Sequence, residues 1–168
     1  MNIITLSAPL VIVALPQSIQ QPLLDCLDTL PNHTINHADK VTKTDWKTDN
    51  PRPYWQLLHP HITPVLDTFT QKVDIQDYTL SEPWFQQYHK TDTHGWHRHP
   101  QSVYNVVYYL ELPHDSHPTV LRNPLNIQQM ITPNVQQGDL LIFPAFITHC
   151  SPPNPSSQRK TIIAFNIV

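Results

Sequence analysis

Glycine is nearly absent from this chain, with two residues in 168, Gly95 and Gly138. Turns must then be built mostly from Pro, Asn and Asp. A glycine kept against that background marks a position needing a positive φ angle or a close backbone approach. Cysteine is equally scarce. Cys26 and Cys150 lie far apart with no disulfide or metal-binding spacing, which excludes a disulfide-stapled scaffold and reads as two free thiols in a reducing compartment. Charge is sparse as well: 14% of residues are charged, the formal net charge is −3, and no run of Lys or Arg occurs. That disfavours duplex nucleic acid as a main partner. No apolar stretch approaches the length that spans a bilayer. The opening "MNIITLSAPLVIVALP" lacks a positively charged leader and a small-residue cleavage site. A soluble, cytoplasmic protein is the expectation.

What the chain has in excess is proline (eighteen) and histidine (eleven). Its length fits one domain able to bury a core without staples. Residues 2–6 and 9–15 are short apolar runs that suit strands. From Ser18, a plausible N-cap, the residues Ile19, Leu23, Leu24, Leu27 and Leu30 follow helical spacing. Residues 31–53 read as a long polar loop. A second helical pattern runs from Tyr54 to Phe69, with Pro60 and Pro64 expected to break or kink it and Thr63 to cap its last piece. Beyond residue 76 the period changes to that of strands, at 77–88, 103–112, 118–122, 126–131, 139–143 and 160–167. Short strands following two helices predict a mainly β domain with packed helices (α+β), a jelly roll. Residues 1–76 would form a helical N-terminal support and residues 77–168 the β core.

The stretch "HGWHRHPQSVYNVVYYLEL" places three histidines at the start of an apolar strand. In so histidine-rich a chain one His-x-His pair is expected by chance, and His59-Pro60-His61 is such a decoy, read as solvent-facing. The surroundings carry more weight. Tyr88 precedes the cluster. "GDLLIFP" leads through Gly138 into a strand that ends near His149, and Arg159 follows ten residues later. Residues i and i+2 of a strand share a face, so His97 and His99 can reach one ion, and His149 can complete the set. His94 and Asp92 are alternative ligands.

This ordered set resembles the Fe(II)/2-oxoglutarate-dependent dioxygenases, in particular the prolyl-4-hydroxylase-like members and a small phage and marine-bacterial branch. The resemblance covers residues 84–168. It implies a double-stranded β-helix (a cupin-like jelly roll), an Fe(II) centre on His97, His99 and His149, and 2-oxoglutarate as cosubstrate. Arg159 would hold the distal carboxylate of that cosubstrate, with Thr161 and Tyr88 as further donors. The implied reaction is oxidative hydroxylation of a C–H bond, of a substrate that no motif identifies. One departure stands out: the family's usual third ligand is a carboxylate, and this chain has His99. Three neutral imidazoles would also suit zinc. A cupin-like metal-binding module that is not an oxygenase, and a degenerate non-catalytic member, therefore stay open. Arg159 discriminates, because a cupin-like module needs no cation there.

Overall fold

The computed structural model describes residues 9–36 and 38–168; the expected strand at 2–6 lies outside them. The chain forms β1 (Val11–Ala14), a 3-10 turn (Gln17–Ile19) and α1 (Gln20–Thr29). β2 (Ile35–Asn36), β3 (Lys40–Val41), β4 (Lys43–Thr44) and α2 (Pro53–Lys72) follow. The remainder is β5 (Trp84–Tyr88), β6 (His94–His97), β7 (Tyr104–Glu111), β8 (Val120–Arg122), β9 (Met130–Ile131), β10 (Asp139–Pro144), β11 (His149–Ser151) and β12 (Lys160–Ile167). A six-stranded sheet has the order β1-β10-β7-β12-β5-β4, and a four-stranded sheet the order β6-β11-β8-β9. All their pairings are antiparallel.

Strand alternation divides the core in two. Val106, Tyr108 and Leu110 of β7 face the helices with Ile163, Phe165 and Ile167 of β12, packed on Leu23, Leu27, Tyr54, Leu58 and Ile62. Val107 and Tyr109 face the other way, with Ile162, Ala164, Leu141 and Phe143, and meet Leu121 and Ile147 in the space between the sheets. The helices thus cover one face of the large sheet, and its other face closes the roll.

Several expectations need correction. α2 is one continuous helix through Pro60 and Pro64. Both prolines sit on its exposed side, where a carbonyl deprived of its partner can be solvated, and the Thr63 hydroxyl donates to the His59 carbonyl at 2.9 Å instead of capping a new helix. Burial of Tyr54, Leu58, Ile62, Leu66 and Phe69 outweighs the missing N–H groups. Ser18 falls inside the 3-10 turn and makes no cap. Residues before 77 are more than helical support, because β1 and β4 are strands of the large sheet. The polar 31–53 segment contains β2, β3 and β4, too short for any period to reveal. The strand expected at 126–131 shrinks to Met130–Ile131. Gly138 is a turn residue with φ of 91°, whereas Gly95 lies inside β6.

Candidate metal centre

β6 and β11 pair with His97 opposite His149, and the chain leaving β6 turns back so that the His99 amide donates to the Ala145 carbonyl. These two placements unite the three expected histidines, with one ring nitrogen from each of His97, His99 and His149 lying within 4.8 Å of the others. The ring centroids of His97 and His149 are 4.2 Å apart. Trp84 stacks on His99 at 5.8 Å, and Phe143 meets His149 edge-on at 4.9 Å. Two aromatic rings therefore flank the cluster, in which His149 is buried and His97 and His99 are half-buried.

Hydrogen bonding decides which nitrogens are free. His97 Nδ1 lies 2.7 Å from the Gly95 carbonyl oxygen, and His149 Nδ1 lies 3.0 Å from that of Ile147. A carbonyl only accepts, so both Nδ1 atoms carry the proton and both Nε2 atoms keep a lone pair. For His99, the Asn166 amide nitrogen lies 3.4 Å from Nδ1, so the tautomer of this ring follows the orientation of that amide. Burial lowers the pKa of His99 to about 4 and of His149 to about 3, with the charge of neighbouring His97 adding to the effect in both. Both are neutral near pH 7, the state a metal ligand requires.

The alternative ligands are otherwise occupied. His94 stacks on His97 at 4.1 Å, its Nδ1 is 3.3 Å from the Gln86 amide nitrogen and its Nε2 is 3.6 Å from Asp39. Asp92 accepts from the Thr42 hydroxyl and the His89 amide and pairs with Lys40, tying a turn rather than facing the cluster. His59 and His61 are exposed on α2.

The expected cation is on the wrong face. Arg159 Nε lies 2.7 Å from one carboxylate oxygen of Glu111 and Nη2 3.1 Å from the other. Nη1 reaches Asp28 at 3.0 Å, and the Thr161 hydroxyl also bonds to Glu111. Neither residue lines the cavity next to the histidines. The reason is strand parity: Arg159 and Thr161 point with Ile163 and Phe165 toward the helices, while Ile162, Ala164 and Asn166 line the cavity.

Lys160 shares that inward parity. Its side chain is fully buried, its ammonium donates to Ser151 Oγ at 2.7 Å and to the His117 carbonyl at 2.8 Å, and it stands 5.0 Å from the centre of the Tyr88 ring. No carboxylate among the described residues pairs with it, and burial lowers its pKa to about 7. Tyr88 and Ser151 line the cavity with the three histidines, and the Tyr88 hydroxyl donates to Gln86 at 2.7 Å. Asn105 lines it too, with both buried amide atoms unpartnered. Lys160 does not itself line the cavity but lies directly behind Ser151 and Tyr88, which do. A buried ammonium without a carboxylate and the unpartnered Asn105 amide are groups that a bound carboxylate would complete.

No protein-family model matches the sequence, and no curated protein matches it. Solved structures do. The prolyl-4-hydroxylase of Pseudomonas putida superposes with a TM-score of 0.70 at 14% identity, over 96% of this chain and 92% of that one. The chain shares that enzyme's fold. HygX of Streptomyces hygroscopicus, with nickel, 2-oxoglutarate and hygromycin B bound, gives 0.71 at 12% identity, covering 95% of this chain and 82% of that one. The viral collagen prolyl hydroxylase of Paramecium bursaria Chlorella virus-1, in complex with 2-oxoglutarate, gives 0.63 at 13% identity and 94% coverage of each chain. The double-stranded β-helix expected from the sequence is thus the fold observed. At these identities the likeness is one of fold, and the chemistry must be argued from the side chains. Among the described residues no helix is long and apolar enough to cross a membrane.

Proposed function

We propose that this chain is an Fe(II)- and 2-oxoglutarate-dependent dioxygenase of the hydroxylase type, with His97, His99 and His149 as metal ligands and Lys160 in the role first expected of Arg159. The observation that carries the reading is the buried, carboxylate-free ammonium of Lys160, set against Ser151 and Tyr88, two residues that line the cavity holding the three-histidine cluster. A cupin-like metal module has no use for such a cation, whose burial is costly until an anion joins it.

The residues divide the work. His97, His99 and His149 would hold the ion through three nitrogens and leave room for a cosubstrate to join them. Lys160 and Ser151 hold the distal carboxylate of 2-oxoglutarate by charge-assisted hydrogen bonds. The Asn105 amide meets a second polar group of the same molecule, and the Tyr88 ring packs beside its chain. Iron bound there supplies oxygen activation, with 2-oxoglutarate as reductant and succinate and CO₂ as its products. Trp84 and Phe143 pack against the rings of His99 and His149 and help to orient them. A cleft of about 420 Å³ opens beside His99, between Trp46 and Trp84, and is the route for the oxidised substrate. The free thiols Cys26 and Cys150 fit a reducing compartment such as the cytoplasm.

The test is anaerobic titration with Fe(II), then 2-oxoglutarate, following the weak visible charge-transfer band of the ternary complex. The band should form with the unaltered protein and with Arg159→Ala, and fail with Lys160→Met. Absence of the band in the unaltered protein, or its persistence in Lys160→Met, would overturn the assignment.

A further inference from the structure

The three-histidine cluster lacks the carboxylate that would offset part of a dication's charge. One carboxylate nevertheless stands just outside it. β3 is pinned beside the chain entering β6 by reciprocal backbone bonds, Lys40 N to Thr93 O at 2.9 Å and Thr93 N to Lys40 O at 2.8 Å. This brings Asp39 against β6. Asp39 Oδ1 accepts from the Gly95 amide at 2.7 Å, and the Gly95 carbonyl in turn holds the Nδ1 proton of His97 at 2.7 Å. The other oxygen of Asp39 lies 3.6 Å from His94 Nε2. The His94 ring is stacked on His97 with 4.1 Å between centroids and 18° between planes. Asp39 therefore reaches one ligand by two routes, a hydrogen-bonded backbone residue and a parallel ring. No Lys or Arg among the described residues pairs with it, since neighbouring Lys40 turns to Asp92. Gly95 admits the approach, because a Cβ there would lie 3.2 Å from Asp39 Oδ1.

We infer that Asp39 is a positioning residue that supplies, from outside the ligand set, the negative charge that a set of three imidazoles lacks. This rests on the metal centre proposed above. The charge acts through space and by polarising the Gly95–His97 hydrogen bond, which raises the donor strength of His97 Nε2.

The experiment is a thermodynamic cycle read by Co(II) binding, followed through its d–d absorption, without cosubstrate or turnover. Asp39→Asn keeps an oxygen able to accept from the Gly95 amide but removes the charge. It should weaken Co(II) binding by about tenfold while the melting temperature of the metal-free protein stays unchanged. In a His99→Asp background, where the ligand set has its own carboxylate, adding Asp39→Asn should cost less than about threefold, because the charge is no longer missing. Unaltered Co(II) affinity in Asp39→Asn would reduce Asp39 to an acceptor for Gly95 and overturn the inference. Equal losses in both backgrounds would overturn it too, since the two carboxylates would then not substitute for one another. Asp39→Ala, measured alongside, separates the hydrogen bond from the charge: it should lose more affinity than Asp39→Asn and lower the melting temperature as well. If the unaltered protein binds no Co(II), the three-histidine centre itself fails and the role of Asp39 with it.

Discussion

The two faces of β12 carry the same kinds of residue and put them to different use. Toward the helices, Arg159 and Thr161 both bond to Glu111, with Asp28 completing the shell of the guanidinium. Toward the interior, Lys160 is buried with one hydroxyl and one carbonyl and no counter-charge. An ion pair already satisfied at a half-exposed seam adds a little stability. A cation left without its anion in the interior costs stability and acquires affinity for whatever anion can reach it. Charge alone does not mark a binding residue; a charge without a partner does.

Lys160→Met tests the contrast most severely. It should weaken 2-oxoglutarate binding on the order of a hundredfold or more, measured calorimetrically with Co(II) in place of Fe(II), while raising the melting temperature of the metal-free protein by removing a buried charge. A variant that binds 2-oxoglutarate normally would place the anchor elsewhere.

The pH dependence of stability separates the faces next. The interior Lys160 has its pKa lowered to about 7 against about 10.4 in an unfolded chain. Between those values the unfolded chain binds the extra proton, so stability of the ligand-free protein should rise with pH across that window. The rise from this residue should vanish in Lys160→Met and persist in Arg159→Ala, by chemical denaturation at pH 7 and 9.5. On the acid side, His99 and His149, lowered to about 4 and about 3, are neutral in the fold but protonate near pH 6.5 when unfolded. Their contribution is complete above about pH 6.5 and is lost as pH falls toward those folded values. Bound Co(II) should steepen that loss, because protons then compete with the metal.

Arg159→Ala should be milder, costing about 1 kcal/mol or less for a partly exposed ion pair, with unchanged 2-oxoglutarate affinity. The smallest effect is expected from the other His-x-His pair. Replacing His59 and His61 by Ala on the exposed side of α2 should alter stability by less than about 0.5 kcal/mol and leave Co(II) binding as it was. Loss of Co(II) affinity in that double variant would argue against the β6–β11 centre.

The strands legible in advance were those with enough alternating residues to show a period. β7 and β12 are eight residues each and fall within one or two residues of the expected bounds. β6 and β11, which carry His97 and His149, are four and three residues long, too short for periodicity, and neither was among the expected strands. His99 lies beyond β6 and reaches His97 through the turn back to Ala145, not by alternation within one strand. Lys160 was within reach. Asn166, Ala164, Ile162 and Lys160 share a parity in "KTIIAFNI", and that parity puts Lys160, not Arg159, with the inward set. Arg159, the guanidinium at the expected ten-residue spacing from His149, carries the more conspicuous signal in the sequence. α2 erred in the opposite direction. Local rules for Pro60 and Pro64 predicted a break, and the buried stripe from Tyr54 to Phe69 held the helix together.

The sequence by itself indicated the class of fold, because strand alternation is a local property written along the chain, and residue spacing singled out His97, His99 and His149 as candidate ligands. Only the tertiary structure decided that Arg159 is paired with Glu111 and Asp28 while Lys160 is buried without a carboxylate, and that Asp39 bonds to Gly95 beside His97. Those facts depend on how strands separated by tens of residues pair, and on a two-residue strand at Lys40–Val41 that has no local signature. Pairing geometry sets which charges find partners and which are left to bind something else.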